Sequence, residues 1–480
     1  MAESAAWPSA VGRRMSALVA AGAGLAGLAV PLYGPRLVLA PLLLVAGLLF
    51  WLAPVYAGVA VVATVIVGGW DVARVATPIP GLYLIDAAGL LAVGSLLLRY
   101  PWVWDRWRFG GWYLAFLAVC AVPLIFRLEG ASAAYGLRAL AFAYYPVFAL
   151  LGLAAMAVPA RRRMAWLIGI ALCIALPSAL LLGDTERVVL TTSGSRRYIG
   201  GIYGGFGAMA LPLALFLLNR PLTRTHGVAV GVASLLLIVL SSHRSAWLAG
   251  LCALGAAWLM TRDRRISPTA VALGGIVIAV LGGAAALGAL PIDTGAQLER
   301  AVSLVDSADD PNVQDRLERW RLAVNQVARG GFIGEGFFVD FPTPRTAVGP
   351  GAPHNIWVTV FFRAGLAGAV LYAALVVRSL ITRDVNDEDR PLHAAIGGAV
   401  VGGLVFSTFN VTLENPYFAP VVWFAVGAAL ALREPAGQRA PVPPPRLLVR
   451  DGRIEQATER GFVGGDAHRL AINHDAGRAP

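Results

Sequence analysis

The chain has 480 residues, of which 58% are hydrophobic and only 14% are charged. This composition excludes an ordinary soluble domain and predicts an all-α membrane protein surrounded largely by lipid. The formal net charge is +11, and because the sequence contains no lysine, all 39 basic residues are arginine.

Apolar runs recur along most of the chain. A spanning helix needs roughly 20 apolar residues, and by this measure we predict about fourteen transmembrane helices. The runs begin near Met15, Leu37, Val55, Gly81, Gly111, Ala139, Ala165, Ile202, Gly227, Ser245, Thr269, Asn355, Ala394 and Tyr417.

Arginine predicts the orientation of these helices, because cytoplasmic loops of membrane proteins carry an excess of it. Most arginines between runs fall in the cytoplasm when the N-terminus is placed inside. They include Arg161, Arg162, Arg163, Arg262, Arg264, Arg265, Arg378, Arg383 and Arg390. Both termini are then cytoplasmic, and the protein is a multi-pass protein of the cell (inner) membrane.

The segment 291–353 is the one long polar insertion between predicted spans, and we place it outside the cell. It separates helices within 1–290 from helices within 354–433. Inside it, Asp310 and Pro311 precede Leu317, Trp320, Val324 and Val327 at helical spacing, which predicts an amphipathic helix lying over the membrane domain. The Pro-, Gly- and charge-rich tail 434–480 is predicted to be disordered and cytoplasmic.

The outer face should be poor in arginine, yet a group of arginines is predicted to lie there. For one interfacial arginine, extension toward lipid headgroups is the simplest explanation. Several arginines that converge from separate segments indicate instead a site for an anion. They are Arg196, Arg197, Arg244, Arg316, Arg319 and Arg321.

His354 directly precedes the twelfth predicted helix. The positive end of a helix dipole favours the neutral form of a histidine, which is the form that a general base requires.

The three cysteines, Cys120, Cys173 and Cys252, lie in apolar runs with no metal-ligand spacing. We therefore predict no metal and no cofactor.

Four short motifs resemble the O-antigen ligase and polymerase superfamily. Their order along the chain and their predicted outer location carry the resemblance, which covers roughly Arg197 to Leu430. The motifs are Arg197 with Gly200; Arg244 with Leu248; Arg316 with Trp320, followed by Gly334-Glu335-Gly336; and His354-Asn355 followed by Gly365. Where the family often has Asn-Pro after the first arginine, this chain has Tyr203-Gly204.

The resemblance implies an enzyme that transfers a glycan from a polyprenyl diphosphate carrier to an acceptor hydroxyl, or to another carrier-linked glycan, at the outer membrane face. The implied partners are the carrier-linked donor, a glycan or glycolipid acceptor and membrane lipids, without nucleic acid. His354, Arg244 and Arg316 are the expected catalytic residues. The expected substrate-binding residues are Arg196, Arg197, Arg319, Trp320 and Asn355.

Two alternatives remain open at this stage. A transporter or flippase of a lipid-linked anionic glycan would also need many helices and arginines, but its charges should lie near the bilayer midplane. A peptidoglycan polymerase of the shape, elongation and division family is a closer alternative. The sequence leaves undecided whether the protein is a ligase or a polymerase.

Overall fold

A computed structural model describes most of the helical part of the chain. The described residues are 53–73, 75, 77, 81–100, 103, 110–126, 136, 138–157, 161–181, 199–241, 243–261, 311–330, 332–342, 354–381, 385–410, 413, 415–433, 447–450 and 453–456. Arg439 and Ala440 mark the boundary between two compact units.

The first unit consists of helices. They are α1 (Pro54–Ala73), α2 (Leu84–Arg99), α3 (Gly110–Phe126), α4 (Ala141–Tyr144), α5 (Ala149–Ala157), α6 (Arg161–Leu181), α7 (Gly201–Leu218), α8 (Arg224–Ser241), α9 (Arg244–Met260), α10 (Pro311–Arg329), α11 (Ile356–Leu380), α12 (Arg390–Thr408) and α13 (Ala419–Ala431). Two 3₁₀ turns, Tyr145–Phe148 and Pro221–Thr223, join α4 to α5 and precede α8.

The helical prediction is confirmed where the structure describes the chain. Among the described helices, four are long and apolar enough to cross a membrane: α7, α8, α11 and α12. Shorter apolar helices occupy the remaining predicted runs in the described residues. The runs near Met15, Leu37 and Thr269 lie outside those residues, so the total of about fourteen stays a prediction.

Close helix packing depends on small residues, as is usual in membrane bundles. Gly152 of α5 and Gly427 of α13 face each other across one crossing. A Cβ at Gly152 would collide with the carbonyl of Phe424, and a Cβ at Gly427 would collide with the carbonyl of Ala149. Glycine at both positions therefore lets the two backbones touch and buries the middle of α13 in the core.

Contacts between helix ends show that neighbouring helices alternate in direction. At one end, the start of α7 at Gly201 packs against His243, which precedes α9. At the other end, His393 of α12 lies 3.0 Å from the carbonyl oxygen of Ser379 in α11. The first end is the one that the arginine distribution predicts to be extracytoplasmic.

Helix α10 differs from its prediction in part of its buried face. It begins at Pro311 as expected, but it runs alongside α11, with Ala323 and Val327 packed against Phe362. Leu317 and Val324, which we placed on the packed stripe, are 52% and 41% exposed. Of the predicted stripe, Val327 is buried and Trp320 is half-buried, so the covered face is shifted towards Ala323.

The second unit contains a short hairpin where we predicted disorder. Strand β1 (Leu447–Arg450) pairs antiparallel with β2 (Arg453–Gln456), with Leu447 opposite Gln456. The sequence between the strands is Asp451-Gly452, a pair favoured in two-residue hairpin connections. The prediction of a disordered, cytoplasmic tail stays a prediction for the rest of 434–480.

Candidate active site

His354 stands at the start of α11 in an unusual backbone conformation. Its φ is 54°, in the left-handed region that non-glycine residues rarely adopt. The next residue, Asn355, is the N-cap, and its side-chain oxygen accepts hydrogen bonds from the amides of Trp357 (2.9 Å) and Val358 (3.2 Å). The strained residue is thus fixed against a well-capped helix, as often occurs at functional sites.

Two arginines of α10 approach His354. Arg316 donates to the carbonyl oxygen of Phe409 at 2.9 Å, and Arg319, which is buried, forms an ion pair with Asp315 at 2.8 Å. Arg316, Arg319 and Asp315 all act electrostatically on His354. Side chains of one helix, α10, therefore act on the histidine that precedes another helix, α11.

This environment changes the acidity of His354. The residue is exposed, but the surrounding protein still removes part of the water around its ring. This partial burial, then Arg316 and Arg319, lower the pKa of His354 to about 4, while Asp315 acts in the opposite direction. The imidazole is therefore neutral at neutral pH and has a lone pair with which to accept a proton.

Hydrogen bonds connect the α10–α11 contact to the start of α9. Phe409, whose carbonyl holds Arg316, precedes Asn410, and the Asn410 amide donates to the Ser245 hydroxyl at 2.8 Å. The same hydroxyl lies 2.8 Å from Nδ1 of His243. Arg244, which is half-buried between these two residues, is thus held at the same end of the bundle as His354.

Helices α7, α9 and α11 all begin at this end of the bundle. The start of α7 packs on His243 at the start of α9. The indole nitrogen of Trp357, in the first turn of α11, donates to the hydroxyl of Thr408 at the end of α12 at 3.2 Å. The first turn of a helix carries partial positive charge, which favours an anion. These helix ends add to the charge of the arginines.

The remaining predicted site residues occupy different positions. Trp320 is half-buried on α10, and Arg196 and Arg197 lie outside the described residues. Arg321 is exposed on α10 and pairs with Glu318 at 2.8 Å. Its location on a different face from Arg319 agrees with its lack of a motif position.

Sequence reasoning missed Asp315 and Asn410. Asp315 precedes the arginine motif and balances part of its charge through Arg319. Asn410 connects α12 to Ser245. A polar pair at the end of an apolar run, as in Phe409-Asn410, is a weak signal that only the fold makes meaningful. Within the described residues, no three His, Cys, Asp or Glu side chains group as a metal site would require.

The similarity to known proteins falls on this part of the chain. Residues 229–373 match the family model described as O-antigen ligase. The matched segment runs from α8 into α11 and contains Arg244, Arg316 and His354. No curated protein and no solved structure matches the chain. The family match confirms the resemblance over 229–373, where three of the four motifs lie.

Proposed function

Because residues 229–373 carry an O-antigen ligase domain, we propose that this membrane enzyme transfers a glycan from a polyprenyl diphosphate carrier at the extracytoplasmic face of a bacterial cell membrane. The acceptor is the hydroxyl of a glycan or glycolipid, or of another carrier-linked glycan. The observation that carries the proposal is the convergence of Arg316 and Arg319 on a neutral His354.

The arginines suit the leaving group. When the bond between the anomeric carbon and the diphosphate oxygen breaks, its electron pair stays on the diphosphate. Arginine donates charge-assisted, often bidentate hydrogen bonds to phosphate oxygens and stabilises the charge that develops there. Arg316, and Arg244 at the nearby start of α9, are proposed to do this, with Arg319 supporting the field from its buried position.

His354 suits the acceptor. In the proposed step, the acceptor oxygen bonds to the anomeric carbon on the face opposite the diphosphate, and His354 takes the hydroxyl proton. A single displacement of this kind inverts the anomeric centre. We propose that no metal is needed, because arginines supply the charge stabilisation that a metal would provide.

Donor binding should make His354 a stronger base. Arg316 and Arg319 help to lower the pKa of His354 in the free protein, and a bound diphosphate would offset their charge. We expect kcat/KM, which reports the free enzyme, to fall with acid near pH 4, whereas kcat should fall at a higher pH. The two profiles are measured by steady-state rates; identical midpoints would contradict this coupling.

An apolar cavity in the bundle fits a carrier with a hydrocarbon chain. Only apolar side chains line it, among them Ile66, Met209, Leu213 and Ile396. Phe206 lies at its edge and stacks on Phe418, with ring centroids 5.4 Å apart. Phe418 also packs on Phe406, which contacts His243 near the proposed site. We propose that the cavity receives part of the polyprenyl chain.

The decisive experiment is glycan transfer by the purified protein. We expect the protein to consume a polyprenyl diphosphate glycan, to form a product of inverted anomeric configuration by NMR, and to work in excess chelator. A retained configuration, or loss of activity with chelator that added divalent cations restore, would contradict the mechanism. In a deletion strain, accumulated carrier-linked polymer would indicate a ligase, and single repeat units a polymerase.

The outer-face assignment has its own test. Cysteine at Thr343 should react with an impermeant thiol reagent in intact cells, whereas cysteine at Asn386 should react only after the membrane is opened. The opposite pattern would move the site to the cytoplasm.

A further inference from the structure

Helix α11 is broken in its middle. Gly365 has φ 69° and ψ −169°, values far from a helix, so the ordinary hydrogen-bond ladder stops there. A Cβ at this position would collide with the carbonyl of Phe332, and the positive φ is itself unfavourable for other residues. The break therefore requires glycine and exposes backbone groups that need new partners.

The segment 332–341, which follows α10, supplies those partners. The amide of Leu366 donates to the carbonyl of Phe332 at 3.1 Å. In return, the amide of Glu335 donates to the carbonyl of Phe362 at 2.7 Å, and the amide of Gly336 to that of Arg363 at 3.1 Å. Because an unpaired backbone group is costly in a membrane domain, these bonds hold the segment in the break.

The side chain of Arg363 makes the same connection a second time. It is 1% exposed and donates to the carbonyl of Gly336 at 2.9 Å and to the carbonyl of Val339. Its guanidinium carbon lies 4.4 Å from the ring centre of Phe341. The buried guanidinium of Arg363 thus contacts the segment at three points: two carbonyl oxygens and one aromatic ring.

The gripped segment also holds the C-terminal end of α10. The Gln326 amide of α10 donates to the carboxylate of Glu335 at 3.2 Å, and the amide of Phe332 donates to the carbonyl of Val327 at 3.0 Å. At the other end of α10, Arg316 is bonded to Phe409. The helix that carries Arg316 and Arg319 is therefore fixed at two places, and Arg363 secures one of them.

We propose that Arg363 is a positioning residue that locks the segment 332–341 into the break of α11 and thereby holds Arg316 and Arg319 against His354. Its part in glycan transfer rests on the proposed function, but the lock itself is a property of the fold. Arg363 contacts none of the reacting groups and acts through α10.

The test compares two variants that weaken the lock with a matched control. Arg363→Met removes the donors, and Gly365→Ala crowds Phe332 while it leaves Arg363 in place. Arg433→Met is the control, because Arg433 also donates to a carbonyl of α11, that of Arg378 at 2.6 Å, but at the opposite end. Arg363→Lys, which keeps a charged donor, should fall between the wild type and Arg363→Met.

Two readouts need no turnover. Hydrogen exchange measured by mass spectrometry should speed up at least tenfold in the peptide 332–341 of both variants. The rate at which diethyl pyrocarbonate modifies His354, followed against pH, gives the pKa of the histidine. In both variants the pKa of His354 should rise from about 4 towards the ordinary value, since Arg316 and Arg319 lower this pKa and Asp315 only partly opposes them. The control should change neither.

The outcomes separate the proposals. Faster exchange with an unchanged His354 pKa would show that Arg363 stabilises the segment without positioning α10, and unchanged exchange would refute the lock. If Arg363→Met does not fold, Gly365→Ala and Arg363→Lys decide by the same criteria. A wild type that transfers no glycan, but whose variants show both changes, would remove the proposed function and leave the lock standing.

Discussion

The arginines around Asp86 and those around His354, both within the described residues, differ in what surrounds their charge. In the first, Asp86 in the first turn of α2 is fully buried and pairs with Arg138 at 2.9 Å. Asp86 also accepts from the Tyr145 hydroxyl at 2.6 Å and from the amide of Tyr83 at 3.0 Å. In the second, Arg319 pairs with Asp315, Arg316 donates to the carbonyl of Phe409, and both arginines lie near an exposed His354.

This difference indicates a structural role for the first cluster and a chemical role for the second. Asp86 and Arg138 balance each other within a closed network, so the pair stabilises a helix contact and has no charge left for a ligand. The α10 cluster has one more positive charge than negative and is open beside the histidine. Asp86 lies inside an apolar run, and the structure shows it in an ion pair.

The largest expected effect is on the base. His354→Ala should lower glycan transfer by about a hundred- to ten-thousandfold, the usual cost of removing a general base. His354→Gly should be equally inactive but more stable than His354→Ala, because glycine adopts the φ of 54° without strain. Transfer rates and thermal unfolding measure the two effects. His243→Ala should keep substantial activity; near-normal turnover of His354→Ala would end the assignment.

In the cluster of Asp86 and Arg138, a substitution should lower the free energy of unfolding and leave activity unchanged. Asp86→Asn leaves Arg138 without a carboxylate, and breaking a buried pair costs about 3 to 5 kcal/mol. Unfolding in detergent should show this loss, while the activity of each folded molecule stays close to that of the wild type. If activity fell and stability did not, Asp86 would belong to the site and the distinction between the clusters would fail.

The open cluster should show the reverse pattern. Arg316→Ala should reduce transfer ten- to a hundredfold, since a charge-assisted contact contributes about 1.5 to 3 kcal/mol, and it should change stability little. Arg321→Ala is the matched control on the same helix, because Arg321 is exposed and pairs with Glu318. Equal losses in both variants would mean that α10 supplies only a general surface field.

The smallest effect concerns Asn355, which we predicted as a substrate ligand and which caps α11. Asn355→Ala should lower stability by about 1 kcal/mol through loss of the cap. Asn355→Asp retains an accepting oxygen and should keep stability. If Asn355 also contacts the donor, the added negative charge should raise KM for the diphosphate; an unchanged KM would leave the cap as its role.

Much of the architecture could be predicted from local pattern. Apart from α10, apolar runs marked the helices within the described residues, because lipid requires continuous apolar, hydrogen-bonded segments. The start of α10 followed from Asp310-Pro311. The histidine and arginine motifs indicated the family over 229–373. These features depend on residues that are close together in the chain.

The tertiary structure decided three features. They are the covered face of α10, its contact with α11, and the hydrogen bond from Arg363 to the carbonyl of Gly336. Leu317 and Val324 have the same helical spacing as residues that are buried, and only the position of Phe362 determines which stripe is covered. Likewise, Arg363 within an apolar run gave no indication that its partners come from 332–341. Periodicity reports that a face is apolar, whereas its partner depends on contacts between distant segments, and no local pattern encodes them.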